Sequence, residues 1–474
     1  MVFGLFARHS IEPIFKIMNP NTFQPLRVPD DDEVRGILVK RIDQLKQAVC
    51  IVIGLIEPNG RRVLAYGNLA NGDPRKVDGD TIFEIGSVSK IFTSLLLAEM
   101  VNRKEVELGD PAAKYLPENV KMPQRNGRCI TLLDLSTHSS GLPRLPGNLK
   151  LKDPANPYAD YGVDDLYQFL SGYTLSRDPG SEFEYSNLGG GLLGHVLACR
   201  AGTDYESLIR TRITEPLSMA DTGITLSVSM KQRMATGHSA MLAPVAKWEL
   251  PTLAGAGAIR SSAHDMLTLL EAFLGYRESP LAPAMKAMLE VRRPAGGTKI
   301  GLGWLFYPAD GREIIWHNGG TGGYRSFAGY DPRERIGVVV LSNASNGVDD
   351  IGFHLLNPKL PLADPEPPKQ RAEIQIDPGV LDNYIGRYQV TPGLVFEITR
   401  DGSRLFARGF AQLSHNRPGD LTGLPKYELL AEGEKSFFTR VSDNRITFET
   451  GCDGRATGLI LHRAGRDMPA PRMP

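Results

Sequence analysis

The chain has 474 residues, of which 41% are hydrophobic and 23% are charged, and its 54 basic side chains balance 54 acidic ones. This composition is ordinary for a globular protein with a sizeable core, and the length favours two or three domains. Because neither charge is in excess, nothing in the composition indicates a nucleic-acid partner or an anionic membrane surface.

Cysteine usage and hydropathy argue against several further classes. The four cysteines form no CxxC pair, and no histidines stand at ligand spacing, so neither a metal nor a cofactor is predicted. No run of about 18 apolar residues predicts a membrane span. The N-terminal MVFGLFARHSIEPIF lacks the features of a signal peptide. We therefore expect a cytoplasmic protein, or a periplasmic one if a leader is removed.

The first half of the chain alternates between strand and helix patterns. An apolar stripe predicts a helix over 33–47, and two β-rich runs over 49–67 predict a hairpin that turns at Asn59-Gly60. A short strand then leads into a helix whose buried face carries Ile91, Leu95, Leu96 and Met100. Further helices are predicted near 188–200, 204–213 and 261–275.

Strand patterns return later in the chain, at 301–307, 313–320, 326–332 and 336–343. Strands at both ends of a helical segment predict one mixed α/β (α+β) domain whose sheet is built from both ends. The proline-rich stretch 359–377 predicts a linker. Beyond it, short alternating runs separated by Gly-containing turns predict a small antiparallel barrel or sandwich with its own aromatic core.

The stretch GSVSK, residues 86–90, places a serine three residues before a lysine. On a helix these two side chains share one face, so the Lys90 amine can reach the Ser87 hydroxyl and act as its base. A helix N-terminus also favours developing negative charge. By itself the pattern is weak evidence, since S-x-x-K is common and a serine at a helix start is usually a cap.

Two later stretches add weight to the catalytic interpretation. EYSN places Tyr185 and Asn187 before a Gly-rich helical run. A tyrosine beside a lysine can act as a general base, and the amide can hold both the lysine and a substrate carbonyl. HNGG places His317 at a strand end, where Gly319 and Gly320 allow close approach of an acyl substrate. The structural alternatives are a helix cap and a hairpin turn.

The order S-x-x-K, Y-x-N, H-x-G resembles penicillin-binding proteins and class C β-lactamases over about residues 30–355. This resemblance implies a β-lactamase/transpeptidase-like fold, with an antiparallel sheet and a helical subdomain. The tail looks like the lipocalin-like barrel attached to some members. The implied organisation is an N-terminal extension at 1–29, a catalytic domain at 30–358, the linker at 359–377 and the barrel-like domain at 378–474.

The same resemblance implies the site roles. Ser87 is the acylated nucleophile, Lys90 and Tyr185 move its proton, and Asn187 orients the substrate amide. The backbone N–H groups of Ser87 and Gly320 form the oxyanion hole. His138, in the segment THSSGLP, is interpreted as structural.

The chain departs from classical β-lactamases at His317, where those enzymes usually carry a lysine. A histidine of ordinary pKa is cationic only part of the time at neutral pH, so we expect it to attract a substrate carboxylate weakly. Within the family that this sequence resembles, H-x-G occurs in relatives acting on D-amino-acid peptides and in some esterase-like members.

Three functions remain open at this point. The first is a serine hydrolase acting on β-lactams or D-alanyl peptides, and the second is a carboxylesterase acting on short acyl esters. The third is a non-catalytic penicillin-recognising protein, against which the intact catalytic trio argues. Tyr324, Trp316 and the 140–165 loop are expected to shape the pocket. A small-molecule or short-peptide substrate is expected, and assembly through the C-terminal domain is an open possibility.

Overall fold

The computed structural model describes residues 27–149, 153, 155–368, 371–391, 393–411, 422–440, 442–463 and 466–474. Most of the N-terminal extension predicted at 1–29 therefore lies outside the described residues. The helices are α1 (Asp31–Val39), α2 (Ser89–Asn102), α3 (Leu132–Ser136), α4 (Val163–Gly172), α5 (Asn187–Ala201), α6 (Tyr205–Ile209), α7 (Glu215–Leu217), α8 (Val228–Arg233), α9 (Ala254–Gly257), α10 (Ala263–Leu274), α11 (Ala282–Glu290), α12 (Asp349–Leu356) and α13 (Pro378–Leu381).

The strands before the linker form one large sheet and two short pairs. They are β1 (Cys50–Glu57), β2 (Gly60–Gly67), β3 (Phe83–Glu84), β4 (Gln124–Arg125), β5 (Arg128–Cys129), β6 (Arg260–Ser261), β7 (Arg293–Ala295), β8 (Thr298–Ile300), β9 (Leu305–Ala309), β10 (Arg312–Gly320), β11 (Arg325–Asp331) and β12 (Ile336–Ser342). The large sheet has the order β2-β1-β12-β11-β10-β9-β8-β7. Its neighbouring strands pair antiparallel, and β1 joins β12, so both ends of the segment build one sheet.

The large sheet is covered on both faces, and β1 shows how its sequence achieves this. Val52 and Ile56 pack into the larger core, which includes residues of α2, α5 and α10, whereas Ile51, Ile53 and Leu55 pack against α1 and α12. Successive side chains of a strand point to opposite faces, so a continuous apolar run fills two cores at once.

Helix α2 lies at the centre of the larger core. Every residue from Ser89 to Met100 is buried. The helix is therefore buried on all sides, and not only along the apolar stripe predicted from the sequence. The buried polar groups are satisfied locally. Thr93 donates to Gly255 O at 2.8 Å, and the hydroxyls of Ser94 and Ser136 lie 2.8 Å apart. Burial on all sides fixes the start of α2, which carries Lys90 of the S-x-x-K motif.

Several predicted boundaries differ from the structure. The helix predicted at 33–47 is α-helical only to Val39 and continues as a π-helical turn over Lys40–Gln44. The hairpin turns at 58–59, and Gly60 already pairs with Glu57. Of the strand predicted at 301–307, only the part from Leu305 is extended, because Gly301 N–H bonds back to Trp304 O at 2.8 Å.

The chain after the linker forms a second antiparallel sheet. Its strands are β13 (Gly386–Thr391), β14 (Leu394–Asp401), β15 (Arg404–Ala411), β16 (Thr422–Ala431), β17 (Ser436–Thr439), β18 (Ser442–Thr450), β19 (Ala456–Arg463) and β20 (Arg466–Pro471), paired in that order. A bridge between Tyr388 and Arg472 brings the first strand to the end of the last one. The result is a nearly closed barrel around a separate aromatic core, in which Tyr384 stacks on Phe448 at 4.4 Å.

Contacts connect the barrel, the linker and the catalytic part. The linker is hydrogen-bonded on both sides, since Gln47 Nε2 donates to Glu366 O at 3.2 Å and Ile374 N donates to Ala431 O at 2.8 Å. Ser239 Oγ donates to Arg440 O at 3.1 Å. Within the described residues, no helix is long and apolar enough to cross a membrane.

Candidate active site

Ser87 lies on a single 3-10 turn, Gly86–Val88, between the buried strand β3 and helix α2. Gly86 has φ +52°, and a Cβ atom at this position would lie 2.5 Å from Gly320 N. Glycine is therefore required here for both its backbone conformation and its lack of a side chain. This close approach places Ser87 beside the end of strand β10.

Lys90 occupies the first turn of α2, and its side chain points back to Ser87. The Nζ atom donates to Ser87 Oγ at 3.0 Å, to Asn187 Oδ1 at 2.9 Å and to Ala256 O at 2.7 Å. Burial and the nearby positive charge of Arg144 hold the pKa of Lys90 well below its ordinary value. A lysine that loses its proton readily can accept one from the adjacent serine hydroxyl.

Tyr185 lies just before α5. Lys90 Nζ lies 4.9 Å from the centre of the Tyr185 ring, and the nearby Ser87 side chain acts on the pKa of the Tyr185 hydroxyl as a hydrogen-bonding partner. Burial raises the pKa of Tyr185 to about 12, although the hydrogen bond to Ser87 and the charge of Arg144 oppose this rise. Tyr185 is therefore a phenol at neutral pH. A phenol can donate a proton, whereas a lysine of lowered pKa can accept one, so the two groups can move protons in opposite directions.

Asn187 is the first residue of α5, and its side chain links this helix to Lys90 of α2. Its side-chain oxygen accepts from Lys90 Nζ at 2.9 Å. Ser186 caps the helix, since its Oγ accepts from Gly189 N at 2.8 Å. The cap of this helix is therefore Ser186, and Asn187 is its first residue rather than the cap.

The end of strand β10 borders the site beside the turn that carries Ser87. Gly319 packs so closely against Ile85 O and Ser326 Oγ that any Cβ atom would overlap them. Ser326 Oγ also donates to Ile85 O at 2.7 Å, which ties β11 to the chain entering Ser87. The Gly320 amide is thereby held next to Gly86, the residue before Ser87.

His317 lies on this part of β10, but its charge differs from the expectation. The ring is only 1% exposed and lies 6.1 Å from the Tyr185 ring. Burial and the nearby Lys90 lower the pKa of His317 to about 3. Nδ1 lies 2.6 Å from Asn318 O and must be the donor to it. The expectation of a part-time cation is wrong, because His317 is neutral at pH 7.

A titration should show that His317 remains neutral. We expect its ring signals in ¹H–¹³C NMR, assigned by comparison with His317→Gln, not to titrate between pH 5 and 8. The folded pKa of about 3 lies below the unfolded value, so His317 should lower folding stability as the pH falls below about 6.5. A titration midpoint between pH 6 and 7 would contradict this assignment.

His138 has a more direct role in the site than the sequence indicates. It adopts φ +54°, its ring packs 4.4 Å from that of Tyr185, and its Nδ1 accepts from Ser186 N at 3.2 Å. Burial, followed by the charges of Lys90, His317 and Arg144, holds its pKa well below the ordinary value. A neutral His138 therefore positions the segment that carries Tyr185.

The side chains that border the pocket differ in part from those predicted. Trp316 packs against Phe353 in the opposite core, and Tyr324 is buried with its hydroxyl on Ala235 O. Trp248 instead borders the pocket, where it lies between Tyr158 and Gly322. Its ring is 5.5 Å from that of Tyr158, and a Cβ atom at Gly322 would lie 2.7 Å from its Nε1. Trp248 comes from the 235–250 segment, which carried no sequence signal.

The sequence also matches a known protein family. The family model described as Beta-lactamase matches residues 38–355. The chain belongs to the Beta-lactamase family. Among the described residues, no cluster of three or more His, Cys, Asp or Glu side chains could hold a metal ion. The matched region contains every predicted site residue of this Beta-lactamase-family chain.

Individual relatives extend the comparison. The D-alanyl-D-alanine-carboxypeptidase/endopeptidase AmpH of Escherichia coli (strain K12) is 30% identical over 342 residues, covering 67% of this chain and 87% of the relative. The class C beta lactamase structure from Rhodobacter sphaeroides aligns with a TM-score of 0.60 at 26% identity, covering 69% and 99% of the two chains. An octameric penicillin-binding protein homologue from Pyrococcus abyssi shares the fold over 93% of this chain and 100% of its own, with a TM-score of 0.61 and 22% identity.

Proposed function

We propose that this protein forms an acyl-enzyme on Ser87 and removes the terminal D-alanine from peptides that end in D-alanyl-D-alanine. The observation that carries the proposal is the hydrogen bond of 3.0 Å between Lys90 Nζ and Ser87 Oγ, with the Tyr185 ring centre 4.9 Å from the same Nζ. The similarity to AmpH supports the peptide as the substrate class.

The groups of the site match the steps of this reaction. Ser87 Oγ attacks the peptide carbonyl while Lys90 takes its proton, and the amides of Ser87 and Gly320 stabilise the oxyanion. Tyr185, whose pKa is about 12, donates its proton to the leaving amine and is reprotonated from Lys90. Water then attacks the ester, passes a proton back through the same groups and releases the acid, which restores Ser87.

β-Lactam hydrolysis and ester hydrolysis remain the alternative functions, because they would use the same groups. In the proposed reaction, a β-lactam acylates Ser87 but is turned over inefficiently, since the neutral His317 does not provide the cation that attracts its carboxylate in the classical enzymes. A short activated ester is a permissive substrate for any competent Ser87, so its hydrolysis alone identifies the nucleophile and not the natural substrate.

A three-substrate panel on one preparation tests the proposal. We expect the highest kcat/KM for an N-acyl-D-alanyl-D-alanine peptide, stoichiometric acylation with slow turnover for nitrocefin, and modest hydrolysis of p-nitrophenyl acetate. The Ser87→Ala variant provides the blank for all three. Fast turnover of nitrocefin would favour a β-lactamase. Ester turnover without any release of D-alanine would favour a carboxylesterase.

A further inference from the structure

The proposed substrate ends in a carboxylate, yet the groups at the centre of the site provide little lasting positive charge. His317 is neutral, and the pKa of Lys90 is held well below its ordinary value. Two other arginines near the site are already engaged. Arg325 donates to Thr321 O and Tyr324 O, and the buried Arg260 bonds Trp248 O and Glu84. A cation for the substrate must therefore come from elsewhere.

Arg144 is held by its backbone against the catalytic segment. Its carbonyl oxygen accepts from Asn187 N at 3.0 Å and from Leu188 N at 3.2 Å, at the start of α5. The preceding carbonyl, that of Pro143, accepts from Ser186 Oγ at 2.7 Å. These bonds fix the Cα of Arg144 relative to Tyr185, although the two residues are far apart in the sequence.

The guanidinium of Arg144 extends from this anchor toward the site. Its Cζ lies 5.1 Å from the centre of the Tyr185 ring, and the residue is exposed. No Asp or Glu of the described chain forms an ion pair with it. Its charge opposes the burial-driven rise in the pKa of Tyr185 and Tyr158. Arginine keeps its charge at all accessible pH values and presents a planar fork that matches a carboxylate.

We propose that Arg144 binds the carboxylate of the leaving D-amino acid and so selects substrates that end in a free carboxylate. Tyr185 donates its proton to the leaving nitrogen, and the carboxylate is attached to the carbon next to that nitrogen. A cation beside Tyr185 is therefore on the leaving-group side of the scissile bond. This inference rests on the proposed function. It makes Arg144 a specificity-determining residue that binds the negatively charged end of the substrate.

The test uses two N-benzoyl-D-alanyl thioesters that differ only in the leaving group. One leaves as thioglycolate, which is anionic, and the other as the neutral methyl ester of thioglycolate. We expect the wild-type kcat/KM to favour the anionic thioester, and Arg144→Gln to lower this preference by about 10- to 100-fold, mainly through KM. The readout is the ratio of the two kcat/KM values. Loss of the Arg144 charge also changes the pKa of Lys90, which affects the hydrolysis of both thioesters.

Two matched variants and one salt series complete the experiment. Arg144→Lys should retain part of the preference. Arg103→Gln should retain all of it, because Arg103 caps the far end of α2, about 20 Å from Lys90 along the helix. The wild-type preference should also decrease with added NaCl, a measurement that needs no variant.

Several results would overturn the inference. They are an absence of preference in the wild type, an unchanged ratio in Arg144→Gln, an equal loss in Arg103→Gln, or a wild-type preference that is insensitive to salt. Failure of the proposed function has a different signature, because the thioesters would still be hydrolysed while the D-alanyl-D-alanine peptide would not.

Discussion

Ser87→Ala is expected to abolish acylation, and Lys90→Ala and Tyr185→Phe are each expected to reduce it by roughly 10⁴- to 10⁶-fold. The three side chains form one cluster, in which Lys90 Nζ bonds Ser87 Oγ at 3.0 Å and lies 4.9 Å from the centre of the Tyr185 ring. Removing any member stops the same proton transfer, so the losses should not add. Intact-mass spectrometry after incubation with benzylpenicillin or a fluorophosphonate measures the adduct, and peptide mapping locates it.

Two further variants sharpen this experiment. Lys90→Arg should be no better than Lys90→Ala, because a guanidinium does not deprotonate and cannot act as the base. Ser229→Ala, which alters an exposed serine of α8, should be acylated like the wild type. An adduct that persists in Ser87→Ala, or normal acylation of Lys90→Arg, would contradict the assigned roles.

The sequence was sufficient for the parts of the site that depend on local geometry and motif order. Ser87 and Lys90 are neighbours because of helical spacing, and the sheet built from both ends of the catalytic segment follows from the strand pattern. The role of Arg144 was not predictable in this way. Its position depends on hydrogen bonds that residues at the start of α5 donate to the Pro143 and Arg144 carbonyl oxygens, and these contacts exist only after folding.

The charge of His317 was mispredicted for a related physical reason. A histidine at the surface of a strand end would titrate near its ordinary pKa, and the sequence contains no information on how deeply β10 is covered. In the folded chain the ring lies beside Tyr185 and near Lys90, and both burial and that amine disfavour the imidazolium. Trp248 was missed because it reaches the site from a segment without any regular pattern.

Gly319→Ala is expected to reduce acylation of Ser87 by about 10²-fold or more, although it adds only one methyl group. The new Cβ would overlap Ile85 O and Ser326 Oγ. Ile85 O is a backbone atom one residue before Gly86, so relief of the overlap must move either β10 or the chain that presents Ser87. In either case the amides of Ser87 and Gly320 separate and no longer point at one oxyanion.

The rate of acylation by a fluorophosphonate and the thermal unfolding midpoint together test this expectation. Overpacking should also lower the free energy of unfolding by about 1–3 kcal/mol. Gly347→Ala is the matched control, because its Cβ would meet no atom within 4 Å and should change neither quantity. Adding Ser326→Ala to Gly319→Ala should not restore the rate, since the overlap with the Ile85 carbonyl remains. Wild-type acylation and stability in Gly319→Ala would show that the end of β10 is not packed against the Ser87 turn as the structure indicates.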